Sequence, residues 1–280
     1  MQKINNYSII AETAFSHEGD YDYIKQQIVV AAKGKADYIK FQVFINIDAS
    51  YTKNYKSYNE IKSFIFSEKQ WRELFKFSKR LKLKIIVLPL NIPSLDFCLK
   101  NGEMIDGVEV HSILFNEYSF LLKLKRYDKL VVLGVGGRYS NEIDYAINLI
   151  NINQNQLVIM AGFQSFPTKL ENTNLGKIKT CSYKYKCDIG YADHTAWDND
   201  GFYYMNNFAY LLGASFFEKH IVVKKGENRI DYESAVDYTD FLKIRKKLDT
   251  IVKIYGSDKI DNLNVSELKY RNREKRIVSA

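Results

Sequence analysis

Proline is scarce in this chain, and cysteine and histidine hardly less so: three prolines, three cysteines and four histidines among 280 residues. With only Pro89, Pro93 and Pro167, and no Pro/Gly-rich tract, nothing in the composition marks a linker between two domains. Cys98, Cys181 and Cys187 are odd in number and lack a Cys-x-x-Cys spacing, so no disulfide framework is implied and they read as reduced thiols. No apolar run approaches the roughly 18 residues that a membrane helix needs. The start, Met1-Gln2-Lys3-Ile4-Asn5-Asn6, has no apolar core behind its single charge, so no secretory signal is expected either. Together these absences lead to the expectation of a soluble, cytoplasmic protein without a membrane partner.

What the chain does have is material for a core, with 46% apolar and 14% aromatic residues. Its net charge of +8 comes from lysines spread along helix-like stretches such as Lys76 to Lys84 and the tail Lys269 to Arg276. No nucleic-acid motif accompanies that charge, so it reads as a solvated surface with a leaning toward a small anionic substrate. Eight apolar, β-branched runs alternate with longer amphipathic stretches: Ser8 to Ala11, Tyr38 to Phe44, Lys84 to Leu88, Gly107 to Val110, Leu130 to Gly134, Leu157 to Ala161, Asp188 to Tyr191 and Ser215 to Glu218. Trp71-Leu74-Phe75-Ser78-Leu81 and Tyr145-Ile147-Leu149-Ile150 are the apolar faces expected of two intervening helices. Eight such units in about 250 residues predict one closed (β/α)8 TIM barrel spanning residues 1–280. The stretch from Ile45 to Phe66 is too long for a routine connection; it is either a lid over the barrel mouth or a surface excursion.

Barrel enzymes carry their chemistry at the C-terminal strand ends, and the polar residues there are the candidates. Glu12 and Lys40 are 28 residues apart and His194 and His220 are 26 apart, roughly one βα unit each, so each pair belongs on neighbouring strands. His194 and His220, flanked by Asp193 and Glu218, suit a divalent metal with an open position; the acids would orient the imidazoles or ligate as well. Strand alternation puts Lys40 and Gln42 on one inward face. Three roles are open to such a lysine: binding a phosphate or carboxylate, forming a Schiff base, or pairing internally with Glu12. Ser112, Asn116, Arg138 and Gln164 follow later strands and are candidate substrate contacts.

The segments IAETAFSHEGD, ADYIKFQ, SFPTKLENTNLGKI, IGYADHT and LGASFFEKHI, in this order, resemble the sialic acid synthase family over about residues 8 to 275. The resemblance implies condensation of phosphoenolpyruvate (PEP) with an acylated aminohexose to give a nonulosonic acid for surface glycans. It also implies manganese or magnesium on His194 and His220, Glu12 as acid/base and sugar contact, Lys40 on PEP, and Asp231 on the sugar. A homodimer is compatible with it. The family's small C-terminal antifreeze-like domain, which contributes an arginine to the partner's site, is not expected within these residues.

Departures from the family pattern concentrate where PEP would sit. The Ser-Thr-Pro-Phe stretch after strand 3 is Val87-Leu88-Pro89-Leu90, Lys-Ile-x-Ser on strand 4 is Glu109-Val110-His111-Ser112, Ser-Thr-Gly-Met is Gly134-Val135-Gly136-Gly137, His-Cys is Ala161-Gly162, and the serine before Asp193 is Ala192. Replacing a lysine by Glu109 changes an attraction worth on the order of 4 kcal/mol at 4 Å into a repulsion. Arg138 would compensate if its loop reached inward. Glu109 and His111, on one inward face, would otherwise form a new acid/base pair or offer metal ligands, or Glu109 would simply pair with Lys40. Besides the PEP synthase, a metal-dependent sugar aldolase, lyase or epimerase and a non-catalytic sugar-binding paralogue remain open readings.

Overall fold

The computed structural model describes residues 7–163, 165, 167–199 and 201–278. The chain runs β1 (Ser8–Glu12), α1 (Tyr21–Lys33), β2 (Tyr38–Val43), α2 (Tyr58–Ser63), α3 (Glu68–Arg80), β3 (Lys84–Pro89), α4 (Ile92–Lys100), β4 (Gly107–Val110) and α5 (Tyr118–Lys123). It continues through β5 (Leu130–Gly134), α6 (Ser140–Ile150), β6 (Leu157–Ala161), α7 (Gly176–Tyr185), β7 (Asp188–Asp193), α8 (Gly201–Leu211), β8 (Ala214–Ile221), a short β9 (Ala235–Val236), α9 (Tyr238–Tyr255) and α10 (Val265–Val278). Strands β1 to β8 pair in sequence order, all parallel, and β8 returns to β1, which closes the (β/α)8 barrel. All eight expected strands form: β4, β5 and β6 match their apolar runs, β1, β3 and β7 extend a residue or two further, β8 extends four, and β2 stops one residue short.

Residue parity along each strand sorts the side chains. Ile10, Tyr38, Ile86, Val132, Val158, Met160, Ala192 and Phe216 fill the lumen, while Ile9, Phe41, Val87, Val108, Leu133, Ile159 and Phe217 face the helix layer in the larger core. Glu12, Lys40, Glu109 and Glu218 have the same parity as the lumen residues, so they stand above this apolar floor. Helix α3 begins with a capping box between Ser67 and Gln70 and buries Trp71, Leu74, Phe75 and Ser78, as its spacing predicts. In α6 the expected face is out of phase: Ile143, Ala146 and Ile150 are buried, whereas Tyr145 is exposed. The 3-and-4 spacing is present there, but it runs through the small Ala146 rather than the aromatic residue.

The segment from Ile45 to Phe66 is tied down. Asn91 donates to the carbonyls of Ile45 and Asn46 and to Ser50 Oγ. Ile47, Tyr58 and Phe66 are buried, and Phe64 and Phe66 pack on Phe15 and His17 of the loop after β1. Gly19 makes that approach possible: at φ +81°, a Cβ there would lie 2.2 Å from the Ser63 carbonyl oxygen. The segment therefore buttresses the loop after β1 and contributes no residue to the lining of the barrel-mouth cavity.

Gly162, just past β6, has φ +121°, and a Cβ on it would meet the Ala192 carbonyl oxygen at 2.4 Å. Backbone strain of this kind costs about 1–3 kcal/mol before the clash is counted. Gly162→Ala is therefore expected to lower the urea unfolding midpoint clearly, and an unchanged midpoint would show that the strand end relaxes freely.

Candidate active site

The barrel mouth holds a cavity of about 310 Å3, lined among others by Glu12, Lys40, Glu109, His111, Ser112, His194 and Glu218. At its base Lys40 Nζ lies 3.0 Å from Glu12, 2.7 Å from Glu109 and 2.7 Å from Glu218, and all four side chains are almost fully buried. β1 sets this register: Glu12 is paired with Lys40 on one side and His220 on the other. Gln42 donates to Glu12 Oε1 at 2.8 Å, and His220 Nε2 lies 3.4 Å from Glu12 Oε2.

One cation among three carboxylates cannot keep all three ionised in a dry site, and the environments separate them. Burial pushes Glu12 up, but Lys40, His220 and a hydrogen bond with Glu218 outweigh it and hold Glu12 well below the usual carboxylate range. Burial raises Glu109, with Lys40 opposing and Glu12 adding. Glu218 is raised well above its ordinary value, again by burial first, then by Glu12 and Glu109 against Lys40. Burial would lower Lys40, yet Glu109, Glu12 and Glu218 reverse this and hold it well above the usual range. The resting arrangement is a Glu12–Lys40 ion pair, with Glu109 and Glu218 retaining protons to higher pH.

The rings of His194 and His220 face each other edge-on, with centroids 4.9 Å apart. Burial, reinforced by His220 and partly offset by Glu12, holds His194 well below its ordinary pKa, which leaves the neutral imidazole that a metal binds. Among the described residues no group of three or more His, Cys, Asp or Glu forms a ready metal cage. Two imidazoles beside a carboxylate, at an open cavity, nevertheless suit a catalytic ion that takes its remaining ligands from water or substrate.

Other sequence expectations are redistributed. Asp193 has the opposite parity to Ala192 and faces the helix layer, where Thr195 donates to it and Lys219 approaches to 3.3 Å; it anchors the end of β7 and does not reach the cavity. Glu218, expected beside the histidines, is instead a third partner of Lys40. Arg138 does not reach inward: it pairs with Glu142 at 3.0 Å and lines a different cavity, so it offers no compensation for Glu109. Asn116 is exposed in the turn before α5. Gln164 lies outside the described residues. Asp231, at φ 64°, is partly buried; burial raises its pKa, His220 opposes this, and the Phe15 amide bonds its carboxylate. His17 is buried against Phe66, accepts from the Gly19 amide, and is pushed down by burial to about 4, which makes it a neutral support of the loop. His111 lines the cavity and accepts from the Ile113 amide through Nδ1. Gly134, Gly136, Gly137 and Gly162, which the sequence sets among the departures around the expected PEP position, form one wall of the cavity.

Known proteins share this architecture. A crystal structure of N-acetylneuraminic acid (sialic acid) synthetase from Leptospira borgpetersenii, in complex with citrate, superposes with a TM-score of 0.86 at 26% identity, covering 98% of this chain and 94% of that one. N,N'-diacetyllegionaminic acid synthase of Campylobacter jejuni is 25% identical over 94% of this chain and 81% of its own length. An uncharacterised protein of Methanocaldococcus jannaschii is 28% identical over 89% of this chain and 72% of its own. No helix among the described residues is long and apolar enough to cross a membrane. The NeuB family profile matches residues 27–260, and with a closed barrel carrying Glu12, Lys40, His194 and His220 at its mouth, the chain belongs to the NeuB family of sugar-acid synthases.

Proposed function

We propose that this chain condenses PEP with an acylated amino sugar to form a nonulosonic acid for a surface glycan. The observation that carries the reading is the position of Glu12: ionised, held by Gln42, 3.0 Å from Lys40 and 3.4 Å from His220. A carboxylate so placed can take and return a proton at the sugar carbonyl while Lys40 draws the anionic partner in. In the reaction, C3 of PEP bonds to the aldehyde carbon, water adds at C2, and phosphate departs by C–O cleavage. A divalent ion held by His194 and His220 would polarise the sugar carbonyl. Asp231, whose carboxyl interacts with His220 and Glu12, would hold a sugar hydroxyl, and His111 and Ser112 of the cavity lining would contact the substrate as well.

Glu109 then has a defined task. Burial raises its pKa, and in its protonated form it can donate a hydrogen bond to a PEP oxygen, as a neutral carboxylic acid can in an apolar site. Its pKa is raised, so the proton is present below the shifted value and lost as pH rises through it; the ionised form repels the substrate. The kcat/KM for PEP is therefore expected to be greatest on the acid side and to fall as pH rises, and Glu109→Gln, which cannot ionise, should flatten the profile. Phosphate release from PEP with manganese and a panel of acylated hexosamines is the assay. If no pairing releases phosphate, the reading fails.

A second reading draws on Lys40 being engaged on three sides with no other lysine or arginine in the cavity lining among the described residues. That favours a neutral substrate alone, undergoing epimerisation or aldol cleavage by Glu12 and Glu218. Turnover of an acylated hexosamine with PEP withheld would support it, and turnover strictly dependent on PEP would exclude it.

A further inference from the structure

A second cavity, of about 460 Å3, lies outside the lumen between the ends of β5 to β7 and helices α6 and α7. Protein interiors are packed so closely that voids much larger than a water molecule are few. This one has the size of a small-molecule pocket and the matching make-up, an apolar body with a few polar groups. Ile143, Ala161, Ile178 and Tyr191 supply apolar surface. Its ionisable lining is one-sided: Arg138, Lys177 and Lys184 contribute, and no carboxylate does. Lys184 is bound to Asp144 and Lys177 is exposed, which leaves Arg138 as the group with capacity to spare. Its Nη1 bonds Glu142, yet 22% of the side chain stays exposed, so the edge of the guanidinium on the cavity can take an anionic oxygen in a charge-assisted bond.

We infer that this cavity is a binding site for a small amphipathic anion, a carboxylate carried on an apolar acyl or aryl body, with the body between α6 and α7 and the carboxylate on Arg138. The site is separate from the catalytic mouth. Gly136, Gly137, Gly162 and Phe163 line both cavities, and a Cβ on Gly136 would meet the Gly162 carbonyl oxygen at 2.4 Å, so the partition is a single layer of backbone. The inference does not depend on which substrate the mouth takes.

Isothermal titration of the full chain with octanoate, octanol and octylamine tests it, since the three share a body and differ in charge. Octanoate is expected to bind one per chain, and octylamine about tenfold more weakly or worse. Arg138→Gln should weaken octanoate by about tenfold and leave octanol unchanged. Thr180→Trp, at an exposed α7 position on the rim, should block all three without endangering the fold. Equal affinity for octanoate and octylamine, or octanoate binding that survives Thr180→Trp, would overturn the assignment.

Discussion

Replacing Lys40 with methionine is expected to cost the fold about 3–5 kcal/mol at neutral pH, the usual penalty for removing one partner from a buried charge cluster. Lys40 is one of the largest fully buried side chains, and its ammonium touches three carboxylates at 2.7–3.0 Å. Methionine fills nearly the same volume, so the loss is electrostatic rather than a cavity effect. The pH dependence follows from the directions of the shifts. In the parent, Glu12 is held well below its ordinary value, so its contribution is present above the unfolded pKa and lost as pH falls through the folded one. Without Lys40, burial governs Glu109 and Glu218 and is opposed at Glu12 only by His220 and the hydrogen bond with Glu218, so ionising the cluster carries a penalty that begins above the unfolded pKa and grows with pH. The deficit of the variant should therefore be larger at about pH 8 than at about pH 5. Urea unfolding at both pH values, followed by circular dichroism, measures it. A deficit under about 1 kcal/mol with no pH dependence would mean that the three carboxylates do not rely on this cation.

Such a cluster is only partly legible in a sequence. The spacing of Glu12 and Lys40 gives neighbouring strands, and the register indeed pairs them directly. Parity along β4 gives an inward Glu109, and the possibility that it pairs with Lys40 follows from charge alone. Glu218 is different: it flanks His220 in the sequence, which suggested service to the histidines. Its actual partner sits two strands away across the lumen, a proximity set by the stagger of the closed barrel rather than by any local pattern. Asp193 was expected beside the metal because it precedes His194, yet with Ala192 facing the lumen the next residue faces the helices, and its neighbour on β8 there is Lys219. Arg138 sits in a loop after β5, beyond any strand period, and only the fold shows that it turns toward α6 and Glu142.

Glu109→Lys is expected to strengthen anion binding at the barrel mouth by about ten- to a hundredfold, which is about 1.4–2.8 kcal/mol. A full charge about 4 Å from a phosphate is worth on the order of 4 kcal/mol at an effective dielectric of 20, and desolvating the new ammonium takes back part of that. Space permits the change: the Glu109 carboxyl lies beside Gly134, which has no side chain to oppose it, and the cavity of about 310 Å3 opens beyond it. The new ammonium would share Glu12 and Glu218 with Lys40, so two cations would face two carboxylates where one now faces three. Titration with PEP and with inorganic phosphate, in parent and variant, reads the effect directly. It also separates the two readings of the mouth, because a site built for PEP should gain affinity while keeping phosphate release, whereas a site built for a neutral sugar should gain an anion at the expense of its own turnover. If affinity for both anions is unchanged in a folded variant, position 109 does not face the bound anion, and the divergence at that position bears on the Lys40 cluster alone.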